Sequence, residues 1–433
     1  MQADPSSSID RTKSLADWLE FAESIHPKSV DLGLERVRRV AERLGVLRPA
    51  PLSLIIAGTN GKGSTAIAAE ALGLTAGLKV GTTLSPHVHH FNERVRIGGV
   101  PLDDAALADL FARVDAARDQ ETLTYFEFSA LVALLGFRQA RVDLAILEVG
   151  LGGRLDAFNI VDADRAIVTS IGLDHQDWLG SDLEQIGREK AGVFRQGQPV
   201  VVGAVTDSVI AAADNLNCSV QRLGREFSIQ ESPRDWVYRS SRRAGIRIPR
   251  SDLAPANCAL AIAALSSHLQ LSDPQIVQAM SGLSLTGRME LYKVQGVSLI
   301  LDVAHNPAGA DFLRQQLERR FPEQRFVAVC GMLADKDAAG AAAALDGIVR
   351  QWLTVDTTGP RGQSAASLAE QLVSGLEKGR AGQRAAHTGI GTFDRFGDAC
   401  DAAVSCAGAK DAILVFGSFS VVEQARNHLR EAR

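Results

Sequence analysis

The chain has 433 residues, 46% of them hydrophobic and 22% charged, with a net charge of −5. This is length for two or three domains of ordinary globular composition, and the acidic balance argues against a general attraction to nucleic acid or an acidic membrane. No apolar run nears the roughly 18 residues that span a bilayer. The start MQADPSSSID lacks a basic-then-apolar leader, and the five cysteines include no C-x-x-C pair, so a cytoplasmic protein with reduced thiols and no zinc is expected.

Helical spacing in LADWLEFAESI and LERVRRVAERLGV predicts two helices before the first strand. The stretch SLIIAGTNGKGST, Ser53 to Thr65, then joins a buried-strand run at Leu54 to Ala57 to a glycine-rich turn. Gly58, Gly61 and Gly63 permit backbone angles that let successive N–H groups converge on phosphate oxygens, at the start of a helix predicted over Ala66 to Leu74. Lys62 supplies a mobile charge; Ser64 and Thr65 supply hydroxyls for a phosphate or Mg²⁺. A usual phosphate loop has four residues between its first Gly and its Gly-Lys pair. Here only Thr59 and Asn60 intervene, so a nucleotide triphosphate site and a plain glycine-rich turn both stay open.

After the strand KVGTT comes SPHVHHFNERVRI. Its histidines, His87, His89 and His90, have no nearby Cys or second His pair, which argues against zinc; a loop carrying Ser85, Asn92, Glu93 and Arg94 to a ligand is the better reading. LTYFEFSALVALL turns from aromatic to helical, and Phe126 and Phe128 read first as core. DLAILEVGLGGRLDAFN puts Glu148 at a strand end before Gly150, Gly152 and Gly153, where ligands of open α/β sheets collect; it is either a Mg²⁺ ligand or a solvated acid. RAIVTSIGLDHQDWLG predicts a neighbouring strand ending at Asp174 and His175, and Lys190 in IGREKAGVF reads by pattern as a surface lysine. VSLILDVAHNP, RFVAVCGML, IVRQWLTVDTT and DAILVFGSF begin a second cycle of strands separated by helices, with Asp302, His305, Asn306 and Ser418 at their ends. The alternation predicts an α/β protein: a mostly parallel sheet covered on both faces, over residues 1–294, and a smaller α/β domain over 295–433.

Nine segments in order resemble the folylpolyglutamate synthase and dihydrofolate synthase enzymes of the Mur ligase superfamily. They are WLEFAESIHPKSVDLGLERV, AGTNGKGS, LSPHVHHFNERVRI, TYFEFSAL, LEVGLGGRLDAFN, SIGLDHQDWLG, IGREKAGVFR, DVAHNPAG and VFGSFSVV. The family form, GTNGKG followed by Ser or Thr, matches the short loop. The resemblance implies an N-terminal P-loop-type ATPase domain, a C-terminal Rossmann-like domain and an active site in the cleft between them. It implies ATP phosphates on Gly58, Thr59, Asn60, Gly61, Lys62, Gly63 and Ser64, with Mg²⁺ on Ser85, Glu148 and His175. Lys190 corresponds to the lysine that the superfamily carbamylates, Asn257 to an adenine-side residue, and Arg288 and Asp302 to groups reaching ATP. Thr124, Phe126 and Asp156 resemble pterin-site residues, and His305 and Ser418 the glutamate side. One departure is Ala157-Phe158-Asn159, where the family more often has a small residue or Thr before the Asn.

The implied activity is ATP-dependent carboxylate–amine ligation of L-glutamate to dihydropteroate and reduced folates through an acyl phosphate, by a monomer with small-molecule partners. Three alternatives are a folylpolyglutamate synthase alone, another amino-acid ligase of the superfamily, and a nucleotide-gated interaction protein. The segments TYFEFSAL and SPHVHHFNERVRI count against the second.

Overall fold

The computed structural model describes residues 12–379 and 390–431. The chain divides into two compact units at Leu283/Ser284.

The first unit is built on eight strands: β1 (Leu52–Ala57), β2 (Val80–Thr83), β3 (Val95–Ile97), β4 (Val100–Pro101), β5 (Leu144–Glu148), β6 (Arg165–Ser170), β7 (Pro199–Ala204) and β8 (Ser219–Arg222). They form one sheet in the order β4-β3-β2-β5-β1-β6-β7-β8, parallel from β2 to β8, with β3 and β4 as an antiparallel edge. Leu54 to Ala57 are fully buried, as expected of a parallel strand with helices on both faces. Ile55, Ala57 and Leu147 share a core with the two N-terminal helices and the helix Tyr125–Ala140. Trp18 stacks on Phe111 there, and Phe111 stacks on Phe128 at 5.1 Å. Helices Lys62–Thr75 and Pro255–Leu265 pack on each other and on the sheet.

A feature not anticipated from the sequence is a separate antiparallel sheet, β9 (Phe227–Glu231), β10 (Asp235–Ser240) and β11 (Arg243–Pro249). Trp236, Tyr238, Ile246 and Ile248 bury its inner face at every second residue, the period a half-buried sheet demands.

The second unit has β12 (Glu290–Val294), β13 (Val297–Asp302), β14 (Arg325–Cys330), β15 (Val349–Val355), β16 (Gly391–Phe393) and β17 (Asp411–Phe416). Their order is β12-β13-β17-β14-β15-β16, parallel except for β12. Strands β13, β14, β15 and β17 are the four that the sequence pattern predicts. The division falls ahead of the expected 294/295 because β12 bonds to β13 from Glu290↔Leu301 to Val294↔Val297, which makes it part of the second sheet.

Candidate functional site

The turn after β1 is held by backbone geometry that only glycine tolerates. Gly58 and Gly61 sit at φ 146° and 86°. A Cβ on Gly58 would fall on the Thr169 hydroxyl, and one on Gly61 would fall inside the Asn257 amide. The turn is pinned to the end of β6: Thr59 N donates to Ser170 O (2.8 Å), Gly172 N to Thr59 Oγ1 (3.0 Å) and Thr169 Oγ1 to Asn60 O (2.6 Å). The helix begins at Lys62, earlier than the expected Ala66, so Gly63 and Ser64 lie in its first turn; no side chain caps it. Uncapped N–H groups at a helix start form an anion site.

Two ammonium groups converge on one carbonyl of this turn. Lys62 Nζ donates to Gly58 O at 3.1 Å, and Lys190 Nζ donates to the same oxygen at 3.0 Å. The surface reading of Lys190 therefore fails: the residue is 4% exposed. Its helix, Leu183–Ala191, docks on the loop after β5, where a Cβ on Gly153 would lie 2.8 Å from Lys190 O, and Arg154 N donates to Glu189 O at 2.8 Å. Burial, and then the charge of Lys62, push the Lys190 pKa down to about 7.

Glu148 ends β5 as expected and is buried. Because β2 lies beside β5, Ser85 follows close by: its N–H donates to Glu148 Oε2 at 2.8 Å, and Thr83 Oγ1 accepts from Glu148 N at 2.8 Å. The Ser85 hydroxyl is buried without a hydrogen-bond partner. An orphaned hydroxyl beside a carboxylate is an oxygen donor pair that fits Mg²⁺. Strand β6 stops at Ser170, not at the expected Asp174 and His175. His175 follows in a left-handed conformation (φ 51°), its N–H bonded to Asp174 Oδ1 at 2.9 Å. Among the described residues no three His, Cys, Asp or Glu side chains form a metal-holding group. Glu93 and Arg94 serve the loop itself. Glu93 accepts from Val88, His89 and His90 N–H, while Arg94 Nε donates to His87 Nδ1 at 2.7 Å.

Thr124 and Asp156 are likewise buried. Thr124 caps the helix Tyr125–Ala140 in a reciprocal box with Glu127, and Arg36 Nε donates to the same Glu127 Oε2 at 2.9 Å. The T-x-x-E spacing of Thr124 to Glu127 was a legible signal for that cap. Asp156 Oδ2 accepts from Gly150 N (2.9 Å) and Leu151 N (3.0 Å), and Oδ1 accepts from Phe158 N (3.0 Å). Burial outweighs these bonds and raises its pKa to about 6. Phe126 is half-buried against Gly150, at right angles to Phe158.

In the second unit, Asp302 and Phe416 are register partners on neighbouring parallel strands, so Asp302 and Ser418 leave the same end of the sheet. Asp302 is buried and accepts from Met289 N (3.1 Å) and Ala304 N (2.8 Å); burial raises its pKa, opposed by the Arg288 charge. Ser418 Oγ accepts from Val421 N at 3.1 Å. Arg288 lies 5.9 Å over the Phe419 ring, and the His305 ring lies 6.5 Å from it. The second unit thus gathers Arg288, His305 and Ser418 around Phe419.

Residues 56–242 match the Mur ligase middle domain, and residues 287–419 match the Mur ligase, glutamate ligase domain. The chain is 43% identical over 411 residues to the Escherichia coli K12 dihydrofolate synthase/folylpolyglutamate synthase, covering 94% of each chain. It belongs to this family of Mur ligases. Among solved structures it is similar to E. coli FolC in complex with DHPP and ADP, with TM-score 0.91, 41% identity, and coverage of 98% of this chain and 99% of that one. It is also similar to the bifunctional folylpolyglutamate synthase/dihydrofolate synthase of Yersinia pestis complexed with AMPPNP and Mn ion (TM-score 0.88, 42% identity, 97% and 99% covered). Among the described residues no helix is long and apolar enough to cross a membrane.

Proposed function

We propose that this family member is an ATP-dependent ligase that joins L-glutamate to dihydropteroate and to reduced folates. The observation that carries the nucleotide side is the short glycine turn with Lys62 and Lys190 converging on Gly58 O beside an uncapped helix start. The family relation and the relatives' ligands support the substrates. A substrate carboxylate oxygen attacks the γ-phosphorus and expels ADP, giving an acyl phosphate. The glutamate amine then attacks the acyl carbon, phosphate leaves, and the nitrogen gives up a proton. Such transfer asks the protein for positioning and charge stabilisation, not for a side-chain nucleophile.

In this reading Gly58 to Ser64 cradle the phosphates and Lys62 meets the β and γ oxygens. Ser85 and Glu148, with His175, hold Mg²⁺, which when bound neutralises charge on the transferring group. Asn257, Arg288 and Asp302 attend the nucleotide, Thr124, Phe126 and Asp156 the pterin, and His305 and Ser418 the glutamate. Asp156 keeps Oδ1 for a ligand only in part, since both of its oxygens already accept backbone N–H groups. The lowered Lys190 pKa supports carbamylation, because the neutral amine is the form that adds CO₂.

The test is purified protein with ATP, Mg²⁺, L-glutamate and either dihydropteroate or a reduced folate. Phosphate release that depends on both acceptor and glutamate, with the new amide detected, is expected. ATP turnover indifferent to both would sink the reading, and ligation of folates alone would narrow it to a folylpolyglutamate synthase.

A further inference from the structure

We infer that Phe158 is a positioning residue for the pterin side of the site, acting through Phe126. The inference rests on the reading of Phe126 as a pterin contact. Phe158 is 4% exposed and lies in the turn Ala157–Ile160, whose first N–H groups are fixed by Asp156. Its ring centroid is 5.8 Å from that of Phe126, with the planes at 89°. This edge-to-face arrangement is the one the aromatic quadrupoles favour. The tip of Phe126 meets Gly150, where no Cβ would fit. Phe126 is thus held on two sides, by the Gly150 backbone and by the Phe158 ring, while part of it stays open to solvent.

A flat heteroaromatic ligand stacking on Phe126 needs that ring already in place. With a small side chain at 158, the space beside Phe126 would open and the ring would sample other rotamers. Binding would then carry the cost of ordering it. The contribution of the side chain is separable from that of Asp156, since Asp156 bonds to the backbone N–H of Phe158, which every residue but proline supplies. Phe158 thereby sets how well a pteridine ring is received, without touching the acyl centre or the phosphate turn.

The experiment compares wild type, Phe158→Thr, Phe126→Ala and the double variant. Phe158→Thr should raise KM for dihydropteroate and for reduced folate roughly three- to tenfold, the equivalent of one aromatic pair. Its kcat should change less than about twofold and its KM for ATP should not move, as expected when only ground-state and transition-state binding are lost together. In the Phe126→Ala background Phe158→Thr should add nothing. An unchanged pterin KM, a parallel rise in KM for ATP, or an undiminished effect without Phe126 would each overturn the assignment. If Phe158→Thr does not fold, Phe158→Leu keeps an apolar side chain of more similar size while losing the edge-to-face pair, and faces the same criteria. Pteroate binding followed by its own fluorescence reads the same effect without turnover. Absence of wild-type ligation would therefore count against the proposed function, while the binding comparison would still decide the role of Phe158.

Discussion

Two glycine-rich loops leave adjacent parallel strands of one sheet, after Ala57 on β1 and after Glu148 on β5, with Ile56 and Glu148 in register. They use their backbones in opposite senses. In Gly58 to Ser64 the carbonyls of Gly58 and Thr59 are held by Lys62, Lys190 joins at Gly58, and the helix N–H groups that follow have no side-chain cap. In Gly150 to Asp156 the N–H groups of Gly150 and Leu151 are consumed by the Asp156 carboxylate. One loop offers positive charge and donors to an incoming anion; the other has supplied its own anion. Glycine content alone does not make a phosphate site. What decides is whether the amides at the helix start are already spent, since those of Thr59 and Asn60 in the phosphate turn are themselves bonded to Ser170.

The largest test of this contrast is Lys62→Ala, which should cut ligation by at least two to three orders of magnitude, the scale of losing one group that stabilises developing charge. Its thermal midpoint should stay near wild type, because the side chain bonds only carbonyls of its own turn. Near-normal kcat would remove the turn from the mechanism.

The next pair separates the loops. Gly61→Ala places a Cβ in the Asn257 amide at φ 86°, so it should cost roughly 1–3 kcal/mol of stability and raise KM for ATP. Gly150→Ala instead displaces Phe126 and should raise KM for the pterin substrate with little change for ATP. If both variants disturb ATP alike, the division of labour between the loops is wrong.

The last test reads the pH dependence of stability. Lys190 is lowered from its ordinary 10.5 to about 7, so between those values the unfolded chain holds the extra proton and stability rises with pH. The penalty for burying the ammonium is complete below about pH 7. Asp156 is raised from 3.8 to about 6, so over that window the folded chain holds the extra proton and stability falls as pH rises. Urea titrations from pH 4 to pH 10 should show Lys190→Met flattening the alkaline limb and Asp156→Asn the acid limb. Unchanged slopes in both would mean that neither group is buried as described.

The legible parts of the molecule were those written in local chain grammar. Gly58 to Ser64 declares its turn through glycine spacing, and Glu148 declares its strand end through the apolar run before it. Lys190 gave no such signal, because its burial comes from its helix meeting Gly153, a contact between segments nearly forty residues apart in the sequence that no window encompasses. The end of β6 was read several residues too far, since Ile171 continues the apolar pattern after the ladder has stopped at Ser170. The sheet β9 to β11 could have been found: Trp236 and Tyr238, then Ile246 and Ile248 around Arg247, stand at two-residue spacing on either side of the turn near Ser241. The core position of Trp18 follows from helix periodicity, but its stacking on Phe111 does not.

Strand β12 has a consequence for dissecting the chain. It covers the outer ladder of β13, and it presents Glu290, bonded to Arg426 and Tyr292, at the sheet margin. A fragment starting at residue 295 would bare the N–H and C=O groups of β13 from Val297 to Leu301, next to the fully buried Leu299, Ile300 and Leu301. Such an edge invites pairing with a second copy and aggregation, whereas a fragment starting at Ser284 keeps its own guard strand.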